Sequence, residues 1–200
     1  YVDVIVVRAK AHQKVLDLAA HGSCPVINGL TDFAHPCQSL ADLYTIREHC
    51  GSLKGLKAAF VGDANNVARS LAEGCGKLGV RLAVAAPKGY QFSDADVKRL
   101  HEECPQLDLT LTDDPRVAVR DAAAIYTDVW TSMGQEKERE ARRKAFAGYQ
   151  VNGVLMKHAS ADAVFLHCLP AHRGEEVTDD VIDSPNSLVV TQAANRMHVQ

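Results

Sequence analysis

The stretch FLHCLPAHRGEE, residues 165–176, brings His167, Cys168 and His172 into one short segment. A thiol among imidazoles admits three chemistries: a zinc site, a nucleophilic cysteine with a histidine base, or a cysteine that handles a substrate's proton without attacking anything. His167 and Cys168 are consecutive at the end of an apolar run, and neighbouring side chains on a strand point to opposite faces, which makes joint ligation of one zinc awkward. No metal is expected. A nucleophilic Cys168 stays open, with His172 or His35 as its base.

Four other places carry polar groups where ligands bind. HPCQ, residues 35–38, opens a helical segment with Pro36 at a typical first position, so His35 and Gln38 stand beside free backbone N–H groups at the positive end of a helix dipole. That suits an anion or a polarised carbonyl, although capping or core packing would use the same histidine. Arg8 closes the apolar run VDVIVVR, and an arginine at a strand's carboxyl end lies on the ligand side of a parallel sheet. In TDVWTSMGQE, residues 127–136, Asp128 with Ser132 and a flexible glycine can hold an ammonium; a turn or N-cap aspartate is the plainer use. Asn65 and Asn66 place two amides at the mouth of a strand, and helix capping accounts for one of them.

Two nucleotide signatures fail on inspection. The strand-turn-helix LKAAFVGDANNVARSL, residues 56–71, retains only Gly62 of a Gly-x-Gly-x-x-Gly fingerprint, and the next strand ends at Pro87 and Lys88 instead of an acid for a ribose. GCGKL, residues 74–78, imitates a phosphate loop but has Leu78 where Ser or Thr would bind magnesium. No cofactor is expected.

The elements that must position these residues alternate in type. Apolar, β-branched runs predict strands at 2–8, 25–28, 56–62, 80–86, 107–112, 123–127, 163–166 and 187–191. Helical period predicts helices near 11–21, 36–50, 65–78, 93–103, 136–147 and 178–183, with others near 115–121 and 153–158. Continuously apolar strands separated by helices indicate parallel sheets buried on both faces, an α/β class. Glutamates and basic residues at i,i+3 and i,i+4 in segment 135–147 read as a solvated helix face, and Thr178 before two aspartates reads as an N-cap. HCGSLKGL, residues 49–56, is the best internal boundary, dividing residues 1–50 from 51–200.

Composition narrows the partners. Two hundred residues, 46% of them hydrophobic, with net charge -3 and pI near 6.3 and no uninterrupted basic run, point to small molecules and away from nucleic acid and membranes. Six cysteines without a Cys-x-x-Cys spacing fit a reducing cytoplasm. The chain runs from Tyr1 directly into an apolar strand and reaches Gln200 inside a helical run, so a piece of something longer is expected.

In order and spacing, HPCQSLADLYTIREH, LKGLKAAFVGDANNVARSL, TDVWTSMG, FLHCLP and ANRMH together resemble the carbamoyltransferases that act on ornithine, over essentially the whole chain. The resemblance implies two doubly wound parallel-sheet domains, the first incomplete here, because that family's Ser-Thr-Arg-Thr-Arg phosphate loop is absent. Residues 1–50 would end the carbamoyl-phosphate domain and 51–200 would form the ornithine domain. It further implies that Arg8, His35, Pro36, Cys37, Gln38 and Arg196 serve carbamoyl phosphate, with Arg8 and His35 polarising its carbonyl. The backbone carbonyls of Cys168 and Leu169 would hold the carbamoyl amino group. Asn66, Asp128, Ser132 and Met133 would bind L-ornithine, and Cys168 would orient the δ-amine and take part in moving its proton. A cis Leu169–Pro170 bond, a homotrimer or higher homo-oligomer and a place in arginine biosynthesis belong to the same implication. Putrescine or an acylated ornithine is the alternative acceptor, and a non-catalytic nucleotide-binding module the alternative class.

Overall fold

The structure, a computed structural model, describes residues 2–132 and 134–200. Near its start, β1 (Ile5–Arg8) and β2 (Val26–Leu30) pair in parallel across α1 (His12–His21). α2 (Pro36–Cys50) begins with proline, whose missing N–H is unneeded in a first turn, and ends at Gly51, where φ is 77°. Strand and helix then alternate through β3 (Lys57–Val61), α3 (Asn66–Leu78), β4 (Arg81–Ala85), α4 (Asp94–Glu103), β5 (Leu109–Thr112), α5 (Pro115–Val119) and β6 (Ala124–Thr127). A 3-10 turn (Glu136–Glu138), α6 (Arg139–Ala145), α7 (Gly153–Met156), β7 (Val164–His167), α8 (Asp179–Ile182) and α9 (Val189–Val199) follow.

The larger sheet is wholly parallel in the order β5-β4-β3-β6-β7. Side chains alternate along each strand, so its residues feed two separate cores. Ala58, Phe60, Tyr126 and Leu166 face Leu43 of α2, Leu71 of α3 and Leu100 of α4. Ala59, Val61, Ile125 and Phe165 face Val119 of α5, Leu155 of α7 and Val181 of α8. Coverage of both faces is what made the strands read as continuous apolar runs, and the α/β doubly wound class holds. The chain order reverses between β3 and β6, so the carboxyl ends of these neighbouring strands form the crevice where such sheets bind ligands.

Three expectations are corrected. Residues 187–191 are not a strand: Ser187 makes a single bridge to Phe165, and the helix begins at Val189. The β-branched Val-Val-Thr run falls in the first turn of α9, where long-range packing against α2 overrides local propensity. Segment 136–147 is not simply a solvated face, because Arg142 is buried and donates to Asp63 at 2.6 Å, to Glu138 at 2.9 Å and to the Trp130 carbonyl at 3.1 Å. Thr178 stands at the N-cap position of α8 without a side-chain cap, while Arg173 pairs with Asp179 and Asp183.

The glycines that imitated a phosphate loop serve packing. A Cβ on Gly74 would strike Leu43 and come 2.7 Å from Ser39 Oγ, and one on Gly76 would lie 2.7 Å from Cys104 Cβ and 3.2 Å from Leu107 Cβ. Those last contacts sit close to the backbone and have little room to yield. Gly76→Ala therefore sets overpacking of about 1–3 kcal/mol against a helix-propensity gain of about 1 kcal/mol. A net loss is expected in urea unfolding. Gly148→Ala, with nothing within 4 Å of its Cβ, is the neutral control; a neutral Gly76→Ala would disprove the packing role.

Candidate active site

The loops at the crevice assemble most of the polar residues singled out above. Asn65 caps α3, its side-chain oxygen accepting from Val67 N–H at 2.9 Å and Ala68 N–H at 3.1 Å. The amide nitrogen of Asn65 donates to Asp128 Oδ2 at 2.7 Å. Asp128, just past β6, also accepts from Val129 N–H at 2.8 Å and from the Cys168 thiol at 3.0 Å. With two oxygens offering about four acceptor positions and three donors in place, the carboxylate keeps room for one further donor such as an ammonium.

Cys168 is half-buried. Burial first, and the adjoining Asp128 carboxylate second, push its thiol well above the ordinary range. At neutral pH the sulfur therefore carries its proton, the opposite of the lowered thiol that a cysteine nucleophile needs. The histidines offer it no base among the described contacts. The Nδ1 of His167 accepts Leu169 N–H at 2.8 Å, which places that ring's proton on Nε2, 3.1 Å from Glu176 Oε1. His167 and Cys168 do not point apart as expected: with Asp128 they bring candidate ligand atoms within 4.8 Å of one another. The reason is that β7 stops at His167 and Leu169 takes φ 58°, so strand alternation ends before the cysteine. Both ring nitrogens of His167 are nevertheless engaged. The Leu169–Pro170 bond is cis, as the resemblance implied.

On the other side of the crevice, His35 precedes α2, with its backbone N–H on Ser70 Oγ at 2.8 Å. The residue is 5% exposed, and its Nδ1 is buried without a hydrogen-bond partner. Burial lowers its pKa to about 4, aided by the charges of Arg196 and Arg8 and opposed by Asp128. A neutral imidazole aimed at a cationic neighbourhood supplies one N–H donor without a charge of its own. Arg8 ends β1 and is exposed. Arg196, on α9, donates to Gln38 Oε1 at 2.5 Å.

Not every expected residue converges. The Asn66 amide donates to the Thr31 carbonyl at 2.6 Å, so Asn65 is the amide that touches Asp128. Cys37 is buried with its thiol 3.6 Å from the Asn28 carbonyl, and Pro36 forms the helix start. Ser132 is half-buried, and its backbone N–H donates to Gln135 Oε1 at 3.0 Å. Met133 lies outside the described residues. Next to it Gly134, at φ 89°, has an ideal Cβ position 3.3 Å from Lys10 Nζ, so this loop meets the turn after β1. Sequence reading missed Asp42, Tyr126 and Gln192, which meet beneath the site; the only signal was their placement within helices and strands already identified.

Fold and site together define an α/β protein in which a buried imidazole near two arginines and a thiol–carboxylate pair gather at the carboxyl ends of a parallel sheet. The chain belongs to the aspartate/ornithine carbamoyltransferase family: that family's Asp/Orn binding domain matches residues 54–200, and its carbamoyl-P binding domain matches residues 1–48. An ornithine carbamoyltransferase of Bacillus subtilis is 55% identical over 100% of this chain and 63% of its own length. The structure of the Pyrococcus furiosus ornithine carbamoyltransferase superposes with TM-score 0.94 at 55% identity, over 100% of this chain and 64% of that one. An N-acetyl-L-ornithine transcarbamylase mutant complexed with PALAO gives TM-score 0.86 at 28% identity, over 100% of this chain and 67% of that one. This chain thus spans a little under two thirds of the length of the Bacillus and Pyrococcus relatives.

The low pKa of His35 fixes the sign of a pH effect. The unfolded imidazole takes a proton below pH 6.5, whereas the folded one resists until about 4, so this contribution is present above 6.5 and lost as pH falls towards 4. The loss is about 3 kcal/mol at ~1.36 kcal/mol per unit. His35→Gln should remove this part of the acid sensitivity, read as a smaller drop in unfolding free energy between pH 7 and pH 4 than the parent shows. Equal drops would contradict a neutral, buried imidazole.

Proposed function

We propose that this chain is the acceptor-binding part of an ornithine carbamoyltransferase, which moves the carbamoyl group of carbamoyl phosphate to the δ-amine of L-ornithine to give L-citrulline and phosphate. The observation that carries this reading is the Cys168 thiol donating to Asp128 across the crevice from a neutral His35 flanked by arginines. That is a proton-handling and anion-facing arrangement. The family match and the two ornithine carbamoyltransferases at 55% identity support the choice of substrate.

In this reading Asp128, held by Asn65, takes the acceptor's α-ammonium group together with Ser132, and Asn66 and Met133 serve its α-carboxylate. A lysine-like amine has pKa ~10.4, so presenting it neutral near pH ~7.5 costs about 4 kcal/mol. Partial burial and the cationic wall reduce that cost. The neutral nitrogen attacks the carbonyl carbon, and Arg8 and the His35 N–H stabilise the charge developing on the carbonyl oxygen. The carbon–oxygen bond to phosphate then breaks, phosphate leaves with Arg196 and Gln38 at its side, and the amine's surplus proton reaches the Asp128 carboxylate, the Cys168 thiol giving its own proton to Asp128 as it takes the amine's. Cys168 forms no bond to carbon. Homotrimeric assembly, a cytoplasmic location and service in arginine biosynthesis complete the proposal. Acylated ornithine or putrescine is the rival acceptor, and the N-acetyl-L-ornithine transcarbamylase likeness makes acylated ornithine the one to assay.

Residues 1–200 alone are expected to give no detectable citrulline, whereas the chain extended to the full length of the Bacillus subtilis relative with that relative's own remaining residues should produce it. An extended protein that carbamoylates N-acetyl-L-ornithine in preference to ornithine would overturn the acceptor assignment. In the extended protein Cys168→Ala should lower kcat about 100-fold without abolishing turnover, the scale of a lost proton-transfer group. Mass spectrometric capture of a carbamoylated Cys168 would restore the nucleophile.

A further inference from the structure

Beneath the site lies a fully buried carboxylate that the proposed reaction does not use. Asp42, on α2, is 0% exposed. One of its oxygens accepts from two glutamine amides, Gln38 Nε2 at 2.8 Å and Gln192 Nε2 at 2.5 Å. An amide whose nitrogen is claimed by a carboxylate has its oxygen turned the other way. Gln38 Oε1 consequently accepts from Arg196 at 2.5 Å, and Gln192 Oε1 accepts from the His167 backbone N–H at 3.0 Å. Gln192 Nε2 also reaches the Tyr126 hydroxyl at 3.2 Å.

We propose that Asp42 is a positioning residue: through the two glutamines it fixes the rotamer of Arg196 on the anion side and the backbone entering Cys168 on the acceptor side. A neutral isostere or an apolar residue would satisfy the packing of α2, but neither an apolar side chain nor a hydroxyl of ordinary reach would turn both amides the same way. Burial pushes the Asp42 carboxyl up to about 7, against the glutamine hydrogen bonds, Tyr126 and the charge of Arg196, which pull it down. Its Oδ2 is buried without a partner. A group held at that cost in stability, with both neighbouring amides committed to it, has its effect where those amides point. The kinetic part of the inference rests on the carbamoyltransferase reading; the structural part does not.

The test therefore has one readout that needs no turnover. In Asp42→Leu, hydrogen exchange at the His167 amide should quicken at least tenfold, because Gln192 loses the acceptor that aims its oxygen. The Phe165 amide, held by the Asn186 carbonyl at 2.9 Å, should keep its rate. In the extended protein the same variant should raise KM for carbamoyl phosphate at least tenfold and lower kcat. Asp42→Asn, whose side-chain oxygen still accepts from both amides, should restore both constants to within about threefold. A merely structural Asp42 would change the unfolding midpoint and leave KM and the ratio of the two exchange rates alone, which overturns the proposal. Where Asp42→Leu fails to fold, Gln192→Met decides: faster His167 exchange and a lower kcat, with KM for carbamoyl phosphate unchanged, support it, and parental values refute it. A parent protein that makes no citrulline while Asp42→Leu still speeds His167 exchange would discard the functional reading and keep the positioning role.

Discussion

The site depends on one constraint: α2 is packed between α3 and α9, so its polar side chains have no water to turn to. Gln38, Ser39, Asp42 and Thr45, spread from the first turn of that helix to its third, are all buried. A buried polar group left unpaired costs about 1–3 kcal/mol, and the neighbouring elements are arranged to prevent it. Ser39 Oγ donates to the Ser70 carbonyl at 2.8 Å on the α3 side, and Asn195 donates to Thr45 at 2.9 Å and Glu48 at 2.7 Å on the α9 side. The same hydrogen bonds that make α2 tolerable to bury also fix how it sits against both neighbours. Because His35 lies at its N-terminal end and Arg196 and Gln192 lie on α9, the register of these helices sets the geometry of the anion-facing wall.

On the acceptor side, position is set by the reversal of strand order. Thr127 Oγ1 donates to the Val61 carbonyl at 2.6 Å, joining the ends of β6 and β3 where their loops diverge. Asn65 leaves one of these strands and Asp128 the other, and their 2.7 Å contact closes the floor of the crevice. Arg142 then braces the wall from behind, tying Asp63 to the Trp130 carbonyl. A buried guanidinium without such partners would be very unfavourable, so Asp63 and Arg142 enforce each other's place. This bracing explains why a highly charged helix segment carries one arginine that water does not reach.

Much of this was legible in the chain itself. Continuous apolar runs separated by helical period gave the parallel sheet, and Pro36 and Gly51 bounded α2 at the residues observed. Cys168 and Asp128 were found as residue types at strand ends, and their contact followed from the fold. The misses share a physical cause. Val-Val-Thr at 189–191 looks like a strand locally, and only the need of Gln192 and Asn195 to face α2 makes it a helix. Asn65 and Asn66 are indistinguishable by spacing, and which one meets Asp128 depends on Thr31, a residue 35 positions away from Asn66. Asp42 and Gln192 are 150 positions apart and sit inside ordinary helical patterns, so nothing short-range marks them as partners. Gly74 and Gly76 failed as a phosphate loop, and nothing short-range showed what they do instead, which is to let side chains of α2 and of the segment after α4 pack close to α3.

The charges around His35 and Cys168 have a common logic. Arg196 and Arg8 gather positive potential at one wall, and burial first, with that potential second, keeps the imidazole neutral. Asp128 gathers negative potential at the other, and burial first, with that potential second, keeps the thiol protonated. Each titratable group is thus held in its uncharged form first by burial and then by the charges beside it. Salt at about 0.1 M screens exposed charges over about 10 Å, but partly buried groups are screened much less. The consequence is a crevice in which charged groups stand beside two neutral hydrogen-bonding groups, one imidazole and one thiol. A charged imidazole would compete with the arginines for the same anion, and a thiolate would repel the carboxylate that positions it. The opposing walls therefore reinforce the protonation states that each of them requires.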